Sequence, residues 1–168
     1  MLRKPRLEDA EAALEYLRDP EVMRFLGGVS TEADATSVVE TWLERWEANG
    51  YGPFVVLRRE DDCFLGRVGL VVWDTRIWRN STVGDAGEHA QPELGWAFVR
   101  EHWRRGYATE AALAVRSWAR AEAGVGHLIS LIAPDNDRSA RVASRLGAWP
   151  TDTVQLEQTP AVVWVHPR

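Results

Sequence analysis

The most constraining feature of this sequence is a strand, turn and helix pattern between residues 93 and 123. Residues 94–99 form a short apolar run of strand length. Arg104-Arg105-Gly106 then marks the break between this strand and the helix that follows. From Ala108 onward, small and apolar residues recur on one face of a predicted helix. A helix that opens just after a glycine presents unpaired N–H groups and the positive end of its dipole, which suit a phosphate. The pattern therefore predicts an anion-binding loop beside two arginines, although Gly-x-Ala alone is equally typical of an ordinary strand-to-helix turn.

The wider block at residues 103–111 resembles the acyl-coenzyme A loop of the GNAT N-acetyltransferase superfamily, especially its ribosomal-protein alanine acetyltransferase branch. The family's loop reads Gln/Arg-x-x-Gly-x-Gly/Ala. Gly106 and Ala108 match it, whereas Trp103 stands where Gln or Arg is usual. The resemblance implies that the loop binds the diphosphate of acetyl-coenzyme A. The residues assigned to this contact are Arg104, Arg105, Gly106, Tyr107, Ala108 and Thr109.

The order of predicted elements indicates an α/β fold with a mixed sheet. Strands are predicted within residues 1–6, 51–59, 63–73, 94–99, 127–132, 153–156 and 161–166, and helices ending near residues 17, 25, 49, 123 and 146. Residues 74–91 are predicted to be a long polar loop. The resemblance implies one GNAT domain over residues 1–168, with about seven strands, flanking helices and a splay between the fourth and fifth strands.

The fourth predicted strand is where the family holds the pantetheine arm of the coenzyme. In the GNAT fold this arm adds to the exposed strand edge through backbone hydrogen bonds. The resemblance implies that Ala97, Phe98 and Val99 supply these contacts.

A second signature, Asn136-x-x-Ser139, begins the helix after the fifth strand. By resemblance Asn136 helps to hold the pantetheine arm, while the residues alone favour a helix cap. Many relatives carry a tyrosine acid seven residues after this asparagine, and here that position is Ala143. Ser139 is then the hydroxyl predicted to approach the coenzyme sulfur and to donate a hydrogen bond to the thiolate.

Amide formation from a thioester requires a neutral amine, so a base is useful. Glu93 opens the fourth strand, where the amine is expected to enter, and it is the predicted base. A rim carboxylate that only attracts a cationic amine is the alternative. Glu88 and His89 in the preceding loop rank below it.

Composition excludes several classes. The chain has 20 basic and 25 acidic residues and a net charge of -5, which argues against nucleic-acid binding and mildly favours a cationic acceptor. One cysteine, Cys63, rules out an internal disulfide and a cysteine-rich metal site, so no metal is predicted. No signal peptide or membrane span is recognised, and a cytoplasmic enzyme is expected. Lys4 is the only lysine, which is typical of a high-GC bacterial genome.

Together these observations predict an N-acetyltransferase that moves an acetyl group from acetyl-coenzyme A to a primary amine by direct attack in a ternary complex. The acceptor is a small molecule or a protein N-terminus, and a homodimer remains open. Two alternatives are a non-catalytic acyl-coenzyme A binding or sensing module, which the alanine at position 143 favours, and a transferase for another acyl-coenzyme A. An acidic acyl chain would need a cation near the thioester, which the sequence does not place.

Overall fold

The computed structural model describes residues 1–157 and 159–168, with the side chains of residues 32 and 33 excepted. The strands are β1 (Leu2–Arg3), β2 (Pro53–Leu57), β3 (Phe64–Asp74), β4 (Arg79–Ser81), β5 (Ala90–Phe98), β6 (Ile129–Ile132), β7 (Trp149–Gln155) and β8 (Pro160–Val165). The helices are α1 (Asp9–Leu17), α2 (Pro20–Met23), α3 (Glu32–Asn49), α4 (Val83–Ala86), α5 (Tyr107–Ala121) and α6 (Asp137–Arg145). No helix among these residues is both long enough and apolar enough to span a membrane.

All strands join one mixed sheet in the order β1-β2-β3-β5-β6-β8-β7, with β4 paired to β3 outside this path. The pair β5–β6 is parallel and the other pairs are antiparallel. Strand β5 meets β6 only at Glu93↔Ile129, while it follows β3 over its whole length. The sheet therefore opens beyond Glu93, which confirms the α/β fold and the splay predicted between the fourth and fifth strands.

The two faces of the sheet are covered by different helices. On one face, α5 packs on side chains that include Val68, Leu94 and Phe98. On the other face, α1 and α3 pack on side chains that include Val55 and Ala97. Because side chains alternate along a strand, residues 93, 95 and 97 of β5 share the second face, together with their partners at positions 71, 69 and 67 of β3.

Local signals positioned the element ends well. Thr31 and Asp34 form a reciprocal capping box at the start of α3, and Gly50 ends that helix with a left-handed φ of 73°. Gly66 marks a bulge, since the β2–β3 register shifts opposite it, between Val56 and Leu57. These features confirm the predicted helix limits and the predicted irregularity at this glycine.

The prediction of one long polar loop over residues 74–91 was incomplete. The segment contains β4, α4 and a short 3₁₀ turn at Gly87–His89, and β4 adds an eighth strand to the seven predicted. Tertiary contacts hold it: the N–H of Val83 donates to Asn49 Oδ1 at 2.8 Å, and Arg45 Nη2 donates to Asn80 Oδ1 at 2.7 Å. The partners on α3 are distant in sequence, so a local pattern could not reveal this structure.

Candidate active site

The loop between β5 and α5 has the geometry of an anion site. Arg104 and Gly106 have positive φ values of 62° and 86°, and Gly106 lies directly before the first residue of α5. No heavy atom of the described residues lies within 4 Å of a Cβ placed on Gly106, so the space above it is open. Arg104 and Arg105 are exposed beside this space. The N–H groups of the first helical turn, which precede the first intrahelical bond, belong to Tyr107, Ala108 and Thr109.

Trp103 fixes this loop to the end of β5. Its indole Nε1 donates to the carbonyl oxygen of Phe98 at 2.8 Å. The guanidinium of Arg138, on the first turn of α6, stacks 4.2 Å from the Trp103 ring centroid and forms an ion pair with Glu21 at 2.9 Å. Trp103, which departs from the family's usual residue, therefore contacts β5 on one side of the splay and α6 on the other.

The backbone of β5 alternates between its two neighbours beyond Glu93. The N–H of Val99 donates to the carbonyl of Leu65 on the β3 side at 2.9 Å, and a Cβ on Gly66 would lie 2.2 Å from the carbonyl oxygen of Ala97. In an antiparallel pair, adjacent residues direct their backbone groups to opposite sides. The backbone groups of residues 96 and 98 therefore point away from β3, toward the opening.

This alternation bears on the predicted pantetheine edge. The N–H of Val99 and the carbonyl of Ala97 face β3, and a role for these two residues toward a pantetheine arm stays a prediction. Phe98 has the required direction, although its carbonyl oxygen already accepts the Trp103 indole. Trp96, which sequence analysis did not select, presents its backbone to the opening as well. The register with β3, rather than the strand's own sequence, decides which residues face outward.

Glu93 lies where β5 and β6 separate. Trp73 Nε1 donates to its Oε2 at 2.6 Å, and the N–H of Leu131 donates to its Oε1 at 3.3 Å. Burial raises the pKa of the Glu93 carboxyl, against the opposing effect of these two hydrogen bonds and of the charges on Arg67 and Arg45. A carboxylate with a raised pKa is a stronger base than an exposed one, and here its orientation is fixed by two donors.

Arg67 approaches Glu93 across Gly95. A Cβ on Gly95 would lie 3.4 Å from Arg67 Nη1 and 3.7 Å from Glu93 Oε1. A Cβ at this position would therefore make ordinary van der Waals contact with both groups. Arg67 and Arg45 both line a cavity of about 290 Å³ between α3 and the α1–α2 region.

Asn136 and Ser139 lie at the start of α6. Asn136 Oδ1 accepts from the N–H of Ser139 at 3.2 Å, so the cap that the residues alone indicated is present. The Ser139 hydroxyl makes no hydrogen bond within the described part of the chain and is partly exposed. A role for either residue toward a coenzyme stays a prediction.

The lower-ranked candidates lie on the surface. His89 Nε2 is 3.6 Å from Glu88 Oε1, and their side chains are 43% and 89% exposed. Sequence analysis missed Trp73, Arg45 and Arg67. A signal for Arg67 was present, because a charged residue interrupts the apolar run of β3 at a position that faces the helices. Nothing along the chain indicated that Arg45 on α3 lines the same cavity.

A model of the acetyltransferase (GNAT) domain family matches residues 1–148. The uncharacterized N-acetyltransferase YnaD of Bacillus subtilis (strain 168) is 29% identical over 148 residues, which is 88% of this chain and 77% of YnaD. The crystal structure of an acetyltransferase from Agrobacterium tumefaciens str. C58 superposes with a TM-score of 0.80 at 25% identity, covering 99% of this chain and 90% of that one. Aminoglycoside acetyltransferase AAC(6')-Ib, solved with coenzyme A, shares the fold with a TM-score of 0.79 at 16% identity, covering 100% of this chain and 94% of that one.

Proposed function

We propose that this chain, an acyltransferase that belongs to the GNAT acetyltransferase family, transfers an acetyl group from acetyl-coenzyme A to a primary amine. The observation that carries the proposal is the Glu93 carboxylate, which is held by Trp73 and Leu131 at the point where β5 and β6 part. Burial raises the pKa of this carboxyl, and its position beside the open edge of β5 supports a role as the base. The fold relationship to an acetyltransferase solved with coenzyme A supports the same assignment.

The residues of β5 and of the start of α5 suit acetyl-coenzyme A as the donor. The open N-terminal turn of α5 and the clear space above Gly106 suit the diphosphate. The outward backbone groups of Trp96 and the N–H of Phe98 suit a pantetheine arm that adds to β5 as a strand would. Arg104 and Arg105 add positive charge at the loop. Acetyl-coenzyme A supplies the reactive thioester, and the protein supplies position and proton transfer.

Glu93 removes a proton from the ammonium form of the acceptor, directly or through a water, and so produces the nucleophilic amine. The amine nitrogen then forms a bond to the thioester carbonyl carbon, and the carbon–sulfur bond breaks. The nitrogen loses its second proton as the amide forms, and the departing thiolate gains one proton. Ser139 is the hydroxyl proposed to donate a hydrogen bond to that thiolate, because Ala143 cannot donate a proton.

The loop is tested by Gly106→Asp. The new carboxylate would occupy the open space at the helix start and repel the diphosphate, so we expect acetyl-coenzyme A affinity to fall by more than about tenfold, equivalent to about 1.4 kcal/mol. Gly124→Asp is the matched control, since Gly124 also has a positive φ of 66° and open surroundings but lies beyond the other end of α5. Calorimetric titration of both variants gives the measurement, and equal affinity in the two would refute the loop assignment.

Turnover is tested by coenzyme A release with a panel of primary amines. Release that depends on both the amine and acetyl-coenzyme A, with an acetylated product detected by mass spectrometry, is the expected result. Binding of acetyl-coenzyme A without release for any amine would favour the non-catalytic binding module instead.

A further inference from the structure

The cavity that Arg67 lines, near Glu93, carries an unusual charge. Its volume is about 290 Å³, and Arg45 and Arg67 are the only charged residues among the described residues that line it. Tyr16, Ser30 and Thr41 add neutral hydroxyl groups. A cavity of this size takes a small molecule rather than a folded surface.

Neither guanidinium has a carboxylate partner. Among the described side chains, no Asp or Glu oxygen lies within 4.0 Å of Arg45 or Arg67. By contrast, Arg58 and Arg76 are each paired, with Asp61 at 2.7 Å and with Asp74 at 2.5 Å. Arg45 donates one hydrogen bond to Asn80 Oδ1 at 2.7 Å, and both arginines are partly buried. Because charges in such a site favour a partner of opposite sign, a carboxylate would complete it.

The charges around Arg45 and Arg67 also favour an anionic ligand. Burial, and then repulsion from Arg67, lower the pKa of Arg45 to about 10, against the attraction of Glu93 and Glu44. Arg45 therefore remains protonated near neutral pH. Burial raises the pKa of Tyr16 to about 12, so its hydroxyl stays a neutral group beside Arg67. With Glu93 ionised, one positive charge in this cluster is still uncompensated.

We propose that this cavity binds a carboxylate of the acceptor, so that the preferred substrates are small amines that carry a carboxylate, as amino acids do. The inference rests on the proposed function and specifies its acceptor. Arg67 is close to both Gly95 and Glu93, which places the anion site next to the base. An acceptor bound this way directs its carboxylate to the arginines and its amine to Glu93. Planar guanidinium groups bind a carboxylate through paired hydrogen bonds, which gives orientation as well as affinity.

The net charge of -5 suggested a cationic acceptor, and the cavity reverses that expectation. Surface charges are screened over about 8–10 Å in physiological salt, whereas partly buried groups in contact with a ligand are screened much less. The two arginines therefore outweigh the overall charge at this site.

The test compares amines that differ only in the carboxylate: phenylalanine with 2-phenylethylamine, and methionine with 3-(methylthio)propylamine. With acetyl-coenzyme A, we expect kcat/KM to be at least about tenfold higher for each amino acid, in line with a hydrogen bond to a charged group. Arg67→Met should remove most of this preference by raising KM for the amino acid, Arg45→Met should reduce it, and Arg67→Lys should retain part of it. Arg59→Gln, on the exposed β2–β3 turn, is the control and should keep the full preference.

Equal rates for both members of a pair, or a preference that survives Arg67→Met in a folded variant, would overturn the proposal. A second arm replaces acetyl-coenzyme A with succinyl-coenzyme A and uses the amines that lack a carboxylate. A rate gain there that Arg67→Met abolishes would assign the cavity to the acyl chain of the donor, and would also overturn it.

Binding without turnover separates this proposal from the proposed function. N-acetylphenylalanine should bind the wild-type protein, and Arg67→Met should weaken that binding by at least about tenfold, as measured by calorimetry. If no amine is acetylated but this binding is present and depends on Arg67, the transferase function fails while the carboxylate site stands. If amines are acetylated but this binding is absent, the carboxylate site fails alone.

Discussion

Two polar clusters, one partly buried and one fully buried, lie on opposite sides of the β5–β6 junction, and they differ in what surrounds them. In the first, Glu93 accepts from Trp73 and from a β6 backbone N–H, and Arg67 connects it to a cavity. In the second, the Ser130 hydroxyl donates to the Leu94 carbonyl at 2.6 Å and lies 3.0 Å from His166 Nε2. Ser130 and His166 are each 2% exposed.

The second cluster is closed. A serine hydroxyl has one hydrogen, and Ser130 gives it to Leu94, so His166 Nε2 must carry the imidazole proton and donate to Ser130. Burial, with the nearby charges of Arg116 and Arg120, lowers the pKa of His166 to about 4, so the ring is neutral near pH 7. A serine beside a histidine resembles a nucleophile and its base, but this hydroxyl is already donated to the backbone and is enclosed.

The comparison shows that a shifted pKa alone does not identify a catalytic group. Both clusters have one, with burial as the largest cause. What distinguishes the Glu93 cluster is an adjacent cavity, an open strand edge and a charge excess that a ligand would balance. Activity, stability and the dependence of stability on pH should each separate the two clusters.

The largest expected effect is the loss of turnover in Glu93→Gln. The amide keeps the size of the side chain and can still accept from Trp73, but it cannot take a proton. General-base catalysis contributes about 10²–10⁴-fold, so kcat should fall by that factor while donor affinity is unchanged. The loss should shrink at high pH, where the amine is deprotonated without help. Steady-state kinetics across pH give the measurement, with the exposed Glu88→Gln as the control.

A rise in the acceptor KM with little change in kcat would mean that Glu93 only attracts a cationic amine. A pH–rate profile that overlays the wild type at every pH would remove Glu93 from the mechanism.

A smaller effect, on stability rather than on activity, is expected from Ser130→Ala. The change leaves His166 Nε2 and the Leu94 carbonyl without their shared partner in a buried site, which costs about 1–3 kcal/mol. Chemical denaturation should show this loss, while kcat should change far less than in Glu93→Gln. Ser144→Ala removes an exposed hydroxyl that donates within α6 at 3.0 Å and should be nearly neutral. A large fall in kcat in a stable Ser130→Ala protein would show that the Ser130 cluster, like the Glu93 cluster, contributes to catalysis.

The smallest effect is a difference in how stability depends on pH. The folded pKa of Glu93 is raised above its ordinary value of 4.5. At a pH between the ordinary and the folded pKa, the folded state therefore binds more protons than the unfolded state does. Its contribution to stability therefore falls with rising pH until the folded pKa is passed. His166 has the opposite sign: between its folded pKa of about 4 and its ordinary value of 6.5, the unfolded state binds more protons, so stability rises with pH.

Denaturation of wild type, Glu93→Gln and His166→Gln between pH 4 and 8 tests these signs. Subtracting each variant from the wild type cancels the groups that they share. Each difference should have a slope of at most about 1.4 kcal/mol per pH unit, and the two slopes should be opposite. Slopes of the same sign would contradict one of the two assignments.

Sequence patterns determined the elements whose causes are local. A glycine before an alanine-rich helical pattern identified the loop at Gly106, and capping residues identified the starts of α3 and α6 at Thr31 and Asn136. The structure adds that Gly106 has a left-handed backbone angle. Apolar runs predicted the strands other than β1, which is too short to show a pattern, and β4. The resemblance of the loop predicted the family, which the family match confirms.

Tertiary structure decided the relations between elements. Arg45, Arg67 and Glu93 come from α3, β3 and β5, so neither the cavity nor its charge excess is visible along the chain. The outward direction of Trp96 and Phe98, and the inward direction of Ala97 and Val99, follow from the register with β3. The physical reason is distance: capping, turns and helical faces depend on neighbours within a few residues, whereas register, burial and electrostatic coupling depend on which distant segments the folded chain brings into contact.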